Sequence, residues 1–545
     1  MADTDPQSLQ GKLPEEASPE KTSSIFQRPK RIFVCCDGTG NEFAEKDSPD
    51  GNSNVVKFYT ALSLGEDPKG KDCDQYAYYH PGVGTLGNPN DSGVSSIVSI
   101  ARGLAFGLGF RENVLDAYRY LMQHYTRRDE VYIVGFSRGA YTARALAGLL
   151  ATYGLLCRGN EGHLPYAWRS YLERTRRQKA INRHSVIPDT TFRDTFSHPD
   201  FSIRFVGLWD TVSSVGWVSE PMRLLDMAQN PTIQYGRHAI SIDERRCFYQ
   251  DNIWGEPVTL QVPIAIQMDP KRAGSFPTEQ DLRQVWFPGV HSDVGESYPQ
   301  NESGLANNSL EWMIDELRGL HVRFDEARVQ MVLGKLPTAR AHLPERDLST
   351  IYEEAQTVVH RSLRRPWWLL EILPHRYYDK DDMKAERRIP FGAYRSIPPG
   401  SLIHPCVLEQ LEDPCYRPRN LTLAELKEAP VERGTLRNGQ HYLLFDPAQC
   451  RKYRWRNNGL VVYLVAVAEA TTAIALAIYI ASALVHILSR PSAKLCYHWI
   501  AAQLKLVEAV LQRDIWSILR PRHWFFLLTL VAVSALFSRV ARKAS

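Results

Sequence analysis

The turn Gly135-Phe136-Ser137-Arg138-Gly139 constrains the fold more than any other feature of the sequence. It follows the apolar run Glu130–Val134, which is typical of a buried strand, and it precedes the small-residue stretch Ala140–Leu150, which is typical of a helix. A strand that turns so sharply into a helix holds the central serine in a strained conformation, and a side chain at either glycine would collide with neighbouring backbone. The pattern predicts that the Ser137 hydroxyl is presented at the end of a strand.

Apolar runs and helical patterns alternate along the residues that follow residue 30. This alternation predicts an α/β fold, a mostly parallel sheet with helices on both faces, and the serine turn makes the expected fold α/β-hydrolase-like. The expected strands, apart from Glu130–Val134, are Arg31–Cys36, Phe201–Trp209 and Gln284–Val290, and the expected helices, apart from Ala140–Leu150, are Arg111–Tyr125 and Leu305–Leu317.

The 545 residues leave room for two or three structural units. Residues 1–30 are rich in Ser, Pro, Glu and Lys and are expected to be disordered. We expect a catalytic domain over 31–335, an accessory region over 336–456, and membrane-associated helices over 457–545. The polar, basic stretch 159–199 is interpreted as a lid insertion, and a solvated surface helix is the alternative.

The last part of the chain is strongly apolar. Residues 459–489 contain one acidic residue, Glu469, and exceed the roughly 20 residues that a membrane-spanning helix needs. The second apolar run, 524–537, is shorter, and an amphipathic stripe lies between the two runs. A buried core helix is the alternative for 459–489. Because residues 1–30 lack a secretory signal, we expect the catalytic part to face the cytosol.

Charge and cysteine usage exclude several classes of function. Lys and Arg number 65 against 61 Asp and Glu, so the net charge of +4 lacks the basic excess of a nucleic-acid-binding protein. The nine cysteines include no Cys-x-x-Cys pair, which leaves a zinc ribbon or a thioredoxin-like motif without support. We therefore expect neither a nucleic-acid partner nor a metal or other cofactor.

A serine nucleophile needs a base within hydrogen-bonding distance, usually a histidine held by a carboxylate. In α/β-hydrolases these residues follow the chain order Ser, Asp or Glu, His, each after a strand. Asp210 follows the expected strand 201–209 and His291 follows 284–290. We interpret Ser137 as nucleophile, His291 as general base and acid, and Asp210 as the orienting carboxylate. The alternatives are a helix N-cap for Asp210 and an ordinary loop histidine for His291.

Two further groups compete for these roles. The spacing around His238, with Asp243-Glu244-Arg245-Arg246 after it, predicts a helix with an ion-paired outer face and a structural role. Asp293 could replace Asp210 as the partner of the histidine, but we expect it to hold its own loop through backbone amides.

Acyl transfer also needs donors for the developing oxyanion. We expect one from the backbone N–H of Arg138 and others from Gly38 and Thr39, in the Gly-rich turn after the first strand. The alternative is a phosphatase-like Asp-Gly-Thr loop with Asp37 as nucleophile or metal ligand. Such loops carry a second aspartate two positions earlier, where this chain has Cys35.

Six segments of the sequence form a recognisable set: Phe33 to Asn41, Pro81 to Thr85, Val134 to Arg144, Val206 to Val212, His238 to Arg246 and Val285 to Gly295. Together they resemble the type VI secretion lipase effector family, Tle-type catalytic domain, and the chain looks like a fungal-type member. The resemblance implies an α/β-hydrolase fold and an ester hydrolase related to phospholipases, with Ser137, Asp210 and His291 at the positions of the family's triad. Where the family often has a second glycine after Gly295, this chain has Glu296.

These observations predict a membrane-anchored serine hydrolase that cleaves carboxylic esters, namely lipid or phospholipid acyl esters. A catalytically silent α/β-hydrolase fold that serves as a membrane-tethered interaction protein is the alternative.

Overall fold

The computed structural model describes the greater part of the chain between residues 29 and 447. The predicted disordered segment 1–30, apart from its last two residues, and the predicted membrane helices 457–545 lie outside the described residues. The described ranges are 29–38, 51–65, 75–82, 95–181, 190–212, 216–217, 220–221, 230–260, 276–296, 298–299, 302–335, 358–363, 367, 371, 375–378, 385–430 and 433–447.

A mainly parallel sheet forms the centre of the protein. Its strands are β1 Arg31–Cys36, β2 Gln75–His80, β3 Glu130–Phe136, β4 Ile203–Trp209, β7 Ile233–Ser241, β8 Asp281–Phe287, β11 Leu402–Ile403, β12 Leu426–Glu428 and β13 Leu443–Phe445. They lie in the order β12-β13-β11-β8-β7-β4-β3-β1-β2, and all neighbours from β2 to β11 are parallel, whereas β13 and β12 are antiparallel additions at one edge. Two small hairpins pair β5 Gly216–Trp217 with β6 Glu220–Pro221, and β9 His375–Tyr378 with β10 Ala385–Arg388.

Helices cover both faces of this sheet. The helices are α1 Asn54–Ala61, α2 Ser95–His124, α3 Ser137–Tyr153, α4 Leu164–Ile181, α5 Thr190–Phe196, α6 His291–Gly295, α7 Gly304–Gly319, α8 Glu326–Val332 and α9 Cys406–Glu412. On one face, α2, α3 and α4 pack on alternate residues of β1 and β3, such as Val34 and Ile133. On the other face, α1, α7 and α8 pack on the intervening residues, such as Phe33 and Tyr132. Helices on both faces explain why the central strands are continuous apolar runs.

The register brings the carboxyl ends of the central strands to one edge. Phe136 at the end of β3 pairs with Trp209 at the end of β4, which pairs with Ala239 of β7. At the end of β7, Ser241 pairs with Phe287, the last residue of β8. The loops that follow these strands therefore meet at this edge, where ligands bind in open α/β sheets.

The prediction of a mainly parallel α/β sheet is confirmed, and several element boundaries shift. The helix predicted to begin at Arg111 begins at Ser95, and the strand predicted over 284–290 runs from Asp281 to Phe287. The predicted helix around His238 is wrong, because this segment is β7, a central strand with parallel neighbours on both sides.

The segments predicted as lid and accessory region take part in the core. Residues of α4 such as Trp168 and Tyr171 belong to the apolar core, so one face of this helix is buried rather than solvated. Strands β11, β12 and β13 extend the sheet beyond the boundary expected at residue 335, and Ile403 and Phe445 pack with Trp286 of β8. Within the described ranges, no helix has the length and apolar character needed to cross a bilayer.

Candidate active site

Ser137 is the first residue of α3 and follows β3 directly. Its φ of 58° lies in the left-handed region, which a residue with a side chain rarely adopts. The flanking glycines allow this turn. A Cβ at Gly135 would lie 2.7 Å from the Gly139 carbonyl oxygen, and one at Gly139 would lie 2.3 Å from the Cys36 carbonyl oxygen. The end of β1 therefore touches the start of α3, as the sequence pattern requires.

The structure brings Ser137, His291 and Asp210 together. His291 Nε2 lies 2.8 Å from Ser137 Oγ, and His291 Nδ1 lies 2.5 Å from Asp210 Oδ2. All three side chains are buried, with Ser137 exposed by only 7%. Because the carboxylate accepts, Nδ1 carries the proton and Nε2 can accept from the serine hydroxyl.

Aromatic rings and a backbone hydrogen bond fix the orientation of His291. The imidazole stacks on Phe136 with a centroid distance of 4.8 Å, and Tyr249 meets it edge-on at 4.7 Å. His291 also begins α6, and its backbone N–H donates to Glu244 Oε2. The ring is therefore held in the plane that joins Ser137 to Asp210.

Burial and charge set the protonation states of this pair. Burial lowers the pKa of His291, and the hydrogen bond and charge of Asp210 offset this only in part, so the imidazole is neutral near neutral pH. Burial alone would raise the pKa of Asp210, but Arg395 and His291 outweigh it and hold the pKa of this carboxyl well below its usual range. A neutral imidazole beside an ionised carboxylate is the resting state that a general base requires.

Asp210 is held from three directions. Its Oδ1 accepts a hydrogen bond from the Ser241 backbone N–H at the end of β7, and the Arg395 guanidinium binds both carboxylate oxygens. Its φ of 39° places it in the left-handed region. The carboxylate thus contacts His291, Ser241 and Arg395. These contacts differ from the helix N-cap that was the alternative interpretation of Asp210.

A buried ion pair lies beneath the histidine. Glu244 Oε1 accepts from the backbone N–H groups of Arg245 and Arg246, and its carboxylate pairs with the Arg246 guanidinium. Burial alone would raise the pKa of Glu244, but Arg246 lowers it to about 2. The spacing in the sequence predicted that these charges lie on the outer face of a helix. They are instead buried after β7, next to His291, because β7 ends at the same sheet edge as β4 and β8.

The other aspartates near this edge have structural partners. Asp293 Oδ2 accepts from the Val290 backbone N–H, which agrees with the expectation that Asp293 holds its own loop. Asp37 Oδ2 accepts from Ser53 and Tyr79, and Asp37 Oδ1 accepts from the Gly38 backbone N–H at 2.6 Å. Gly38 therefore lies at the end of β1 with its N–H directed at Asp37, and Thr39 lies outside the described residues.

His238 lies on β7, behind Asp210. Its Nε2 accepts a hydrogen bond from the Thr211 backbone N–H at 3.1 Å, so His238 supports the loop that carries Asp210. Burial, with Arg144 nearby, lowers the pKa of His238 to about 3. The structural role predicted for this histidine therefore fits its contacts, although it belongs to a strand.

Sequence reasoning assigned neither Arg395 nor Glu244 to this site. Arg395 lies 185 positions from Asp210 in a segment without a recognisable pattern, so no sequence signal pointed to it. Glu244 lies within the segment His238 to Arg246 of the resemblance, which was the available signal. Within the part of the chain that the structure describes, no group of three His, Cys, Asp or Glu residues could hold a metal ion.

Comparison with known proteins finds relatives that match part of this chain. A stretch of 239 residues, 41% of this chain, is 32% identical to uncharacterized protein YEL023C of Saccharomyces cerevisiae and covers 32% of that protein. Two solved structures share 18% identity: an uncharacterized protein from Pseudomonas aeruginosa, with 57% of this chain and 50% of that one covered and a TM-score of 0.31, and the Tle1 effector bound to the VgrG spike of the type VI secretion system, with 51% and 53% covered and a TM-score of 0.27.

The family described as T6SS, phospholipase effector Tle1-like, catalytic domain, matches residues 30–316, more than half of the chain. This range contains Ser137, Asp210 and His291, and it ends before Arg395. The chain therefore belongs to the Tle1-like phospholipase effector family and carries its catalytic domain.

Proposed function

We propose that this protein is a serine hydrolase of α/β-hydrolase type that cleaves carboxylic esters of lipids, with phospholipid acyl esters as the substrate class that the family favours. The observation that carries the proposal is the continuous hydrogen-bonded chain from Ser137 Oγ through His291 to Asp210, with separations of 2.8 and 2.5 Å. Nucleophile, base and orienting carboxylate in this order are the parts that acyl transfer needs.

The reaction proceeds in two halves. Ser137 Oγ attacks the ester carbonyl carbon while its proton passes to His291 Nε2, and His291 then gives this proton to the leaving alcohol oxygen as the C–O bond breaks. In the second half His291 takes a proton from water, the hydroxide attacks the acyl-enzyme, and the proton returns to Ser137 Oγ as the fatty acid leaves. Asp210 stays ionised throughout and stabilises the imidazolium that forms twice.

The oxyanion needs hydrogen-bond donors near Ser137. The backbone N–H of Arg138 belongs to the first turn of α3 and directly follows the proposed nucleophile, which is the position of one oxyanion donor in α/β-hydrolases. The N-terminus of this helix also carries a partial positive charge, which favours a developing anion. We propose Arg138 as the first donor and the turn of Gly38 and Thr39 as the second. Gly38 would have to exchange its present partner, Asp37, for the oxyanion.

A fluorophosphonate probe tests the nucleophile, because it labels activated serines covalently. We expect labelling of the full-length chain that disappears in Ser137→Ala, together with hydrolysis of a phospholipid or another lipid ester from a panel. Ser202→Ala is the matched control, because Ser202 bonds Gln234 at the opposite end of the sheet. Failure of a folded wild-type chain to react would reject the enzyme and favour a catalytically silent interaction protein.

We also propose that residues 457–545 anchor the chain in a membrane with the catalytic part on the cytosolic side. The apolar run 459–489 supports the anchor, because it exceeds the roughly 20 residues that a membrane-spanning helix needs. The full-length chain should stay in the membrane fraction after alkaline carbonate washing. Protease added to sealed membranes whose cytosolic face is outward should digest the catalytic part. Release by carbonate would contradict the anchor.

A further inference from the structure

Side chains from beyond the family-matched region reach the loops that carry Asp210 and His291. They come from residues 360–416, a segment that the sequence assigned to an accessory region. Each one binds an acidic side chain at the carboxyl edge of the sheet. The pairs are Arg395 with Asp210, Ser362 with Glu244, His360 with Asp293 and Tyr416 with Asp243.

Arg395 makes the most direct of these contacts. Its Nη1 donates to Asp210 Oδ1 at 2.5 Å and its Nη2 to Asp210 Oδ2 at 3.0 Å. The same guanidinium donates to the Ser241 hydroxyl at 2.7 Å and, through Nε, to the Tyr249 carbonyl oxygen at 3.1 Å. Arg395 is only 7% exposed, so the pair is shielded from solvent.

This geometry determines which way the Asp210 carboxylate faces. A planar guanidinium that binds both oxygens permits one orientation of the carboxylate, and this orientation directs Oδ2 at His291 Nδ1. Tyr249, whose carbonyl Arg395 also binds, packs against the His291 ring. One guanidinium therefore fixes both the carboxylate and one wall of the imidazole site.

The charge of Arg395 also changes what Asp210 does to His291. A lone buried carboxylate strongly favours the protonated imidazole, whereas one shared with a guanidinium favours it less. Among the described residues, the charged groups that face His291 are Asp210 after β4, Glu244 and Arg246 after β7, and Arg395 behind Asp210. Removal of Arg395 leaves this set with two carboxylates and one guanidinium, and therefore with one uncompensated negative charge.

We infer that Arg395 is a positioning residue for ester hydrolysis: it orients Asp210 toward His291 and keeps His291 in the neutral form that accepts the serine proton. This inference rests on the proposed roles of Ser137, His291 and Asp210. It assigns part of the active site to a segment outside the family's catalytic domain.

Two variants of the full-length chain separate charge from geometry, with rates normalised to the fraction of sites that a fluorophosphonate labels. Arg395→Gln keeps hydrogen-bond donors and loses the charge. We expect its kcat to fall at least tenfold with little change in KM, and the acid limb of its kcat/KM profile to move to higher pH by about one to two units. Arg395→Lys keeps the charge, so its acid limb should return toward that of the wild type while kcat stays reduced.

Arg237→Met is the matched control. Arg237 is also buried and binds Asp281 with both terminal nitrogens, and Glu316 through Nε, away from the carboxyl edge. This variant should lose stability without moving the acid limb. The inference is overturned if the acid limb of the kcat/KM profile does not move in Arg395→Gln. If the Gln variant does not fold, a wild-type kcat in Arg395→Lys overturns it. If the fluorophosphonate does not label the folded wild type, or if it still labels Ser137→Ala, the proposed function itself is rejected.

Discussion

Replacing Gly139 with alanine tests the contact on which the serine turn depends. A Cβ at this position would lie 2.3 Å from the Cys36 carbonyl oxygen and 2.4 Å from the Asp37 carbonyl oxygen. Both oxygens belong to the backbone at the end of β1, a strand paired with β2 and β3 on its two sides. They cannot rotate away as a side chain could, so the end of β1 or the start of α3 must move.

The size of this movement follows from the distances. Real Cβ contacts essentially never fall below 3.0 Å, so the 2.3 Å separation requires a shift of about 0.7 Å. Overpacking of this kind typically costs about 1–3 kcal/mol of the free energy of unfolding. A shift of α3 also moves Ser137 Oγ, which lies 2.8 Å from His291 Nε2, and misplacement by about 1 Å can cost about 10²-fold in rate.

Chemical unfolding and the second-order rate of fluorophosphonate labelling measure the two effects. Gly162→Ala is the control, because a Cβ at Gly162, in the 3₁₀ turn Glu161–His163, would meet nothing within 4 Å. We expect the control to match the wild type in both measurements. If Gly139→Ala behaves like Gly162→Ala in stability and in labelling, the close approach of β1 and α3 is refuted.

Three further predictions concern buried ionisable groups. Because burial lowers the pKa of His238 to about 3, below its unfolded value, stability is lost as pH falls below about 6.5, by about 2 kcal/mol at pH 5, and denaturant titrations of His238→Gln should show a flatter decline. Glu296→Gly relieves a φ of 62°, but it removes the partner of buried Lys57, whose Nζ lies 2.6 Å from Glu296 Oε2. We expect the free energy of unfolding to fall by about 2 kcal/mol and expect Lys57→Met, added in a double-mutant cycle, to restore most of it. Burial raises the pKa of Asp243 to about 7, and the Tyr416 hydroxyl opposes this. Since a raised carboxyl pKa gives stability that is lost as pH rises through it, Tyr416→Phe should lower the melting temperature more at about pH 8 than at about pH 6.

The nucleophile half of the site could be predicted because its information is local. The apolar run of β3, the two glycines and the small residues of α3 are consecutive in the chain, and each has a direct steric reason to be where it is. The order Ser137, Asp210, His291 could be read in the same way, since each residue follows an apolar run. The positions of the hydroxyl, the carboxylate and the imidazole at one edge follow from parallel pairing alone.

The segment around β7 was mispredicted because it carries charge inside a buried strand. Arg237 looks like an exposed helix residue in the sequence, but its guanidinium is paired with Asp281 and Glu316, which are 44 and 79 positions away. Similarly, Arg395 reaches Asp210 across 185 positions. Such pairs have no periodicity, so propensity and pattern cannot reveal them, and only the folded sheet brings the partners together.

The two halves of the site therefore differ in how they can move. Ser137 is held by steric contacts between the β3–α3 turn and the end of β1. Asp210 and His291 are held instead by buried charges from two distant segments, one with Glu244 and Arg246 and one with Arg395. Leaving one member of a buried ion pair without its partner costs about 3–5 kcal/mol. Under the proposed function, a lipid ester must nevertheless reach Ser137, which is only 7% exposed. Motions that admit substrate at moderate cost are therefore those that leave this charge network intact and displace the uncharged groups around the serine.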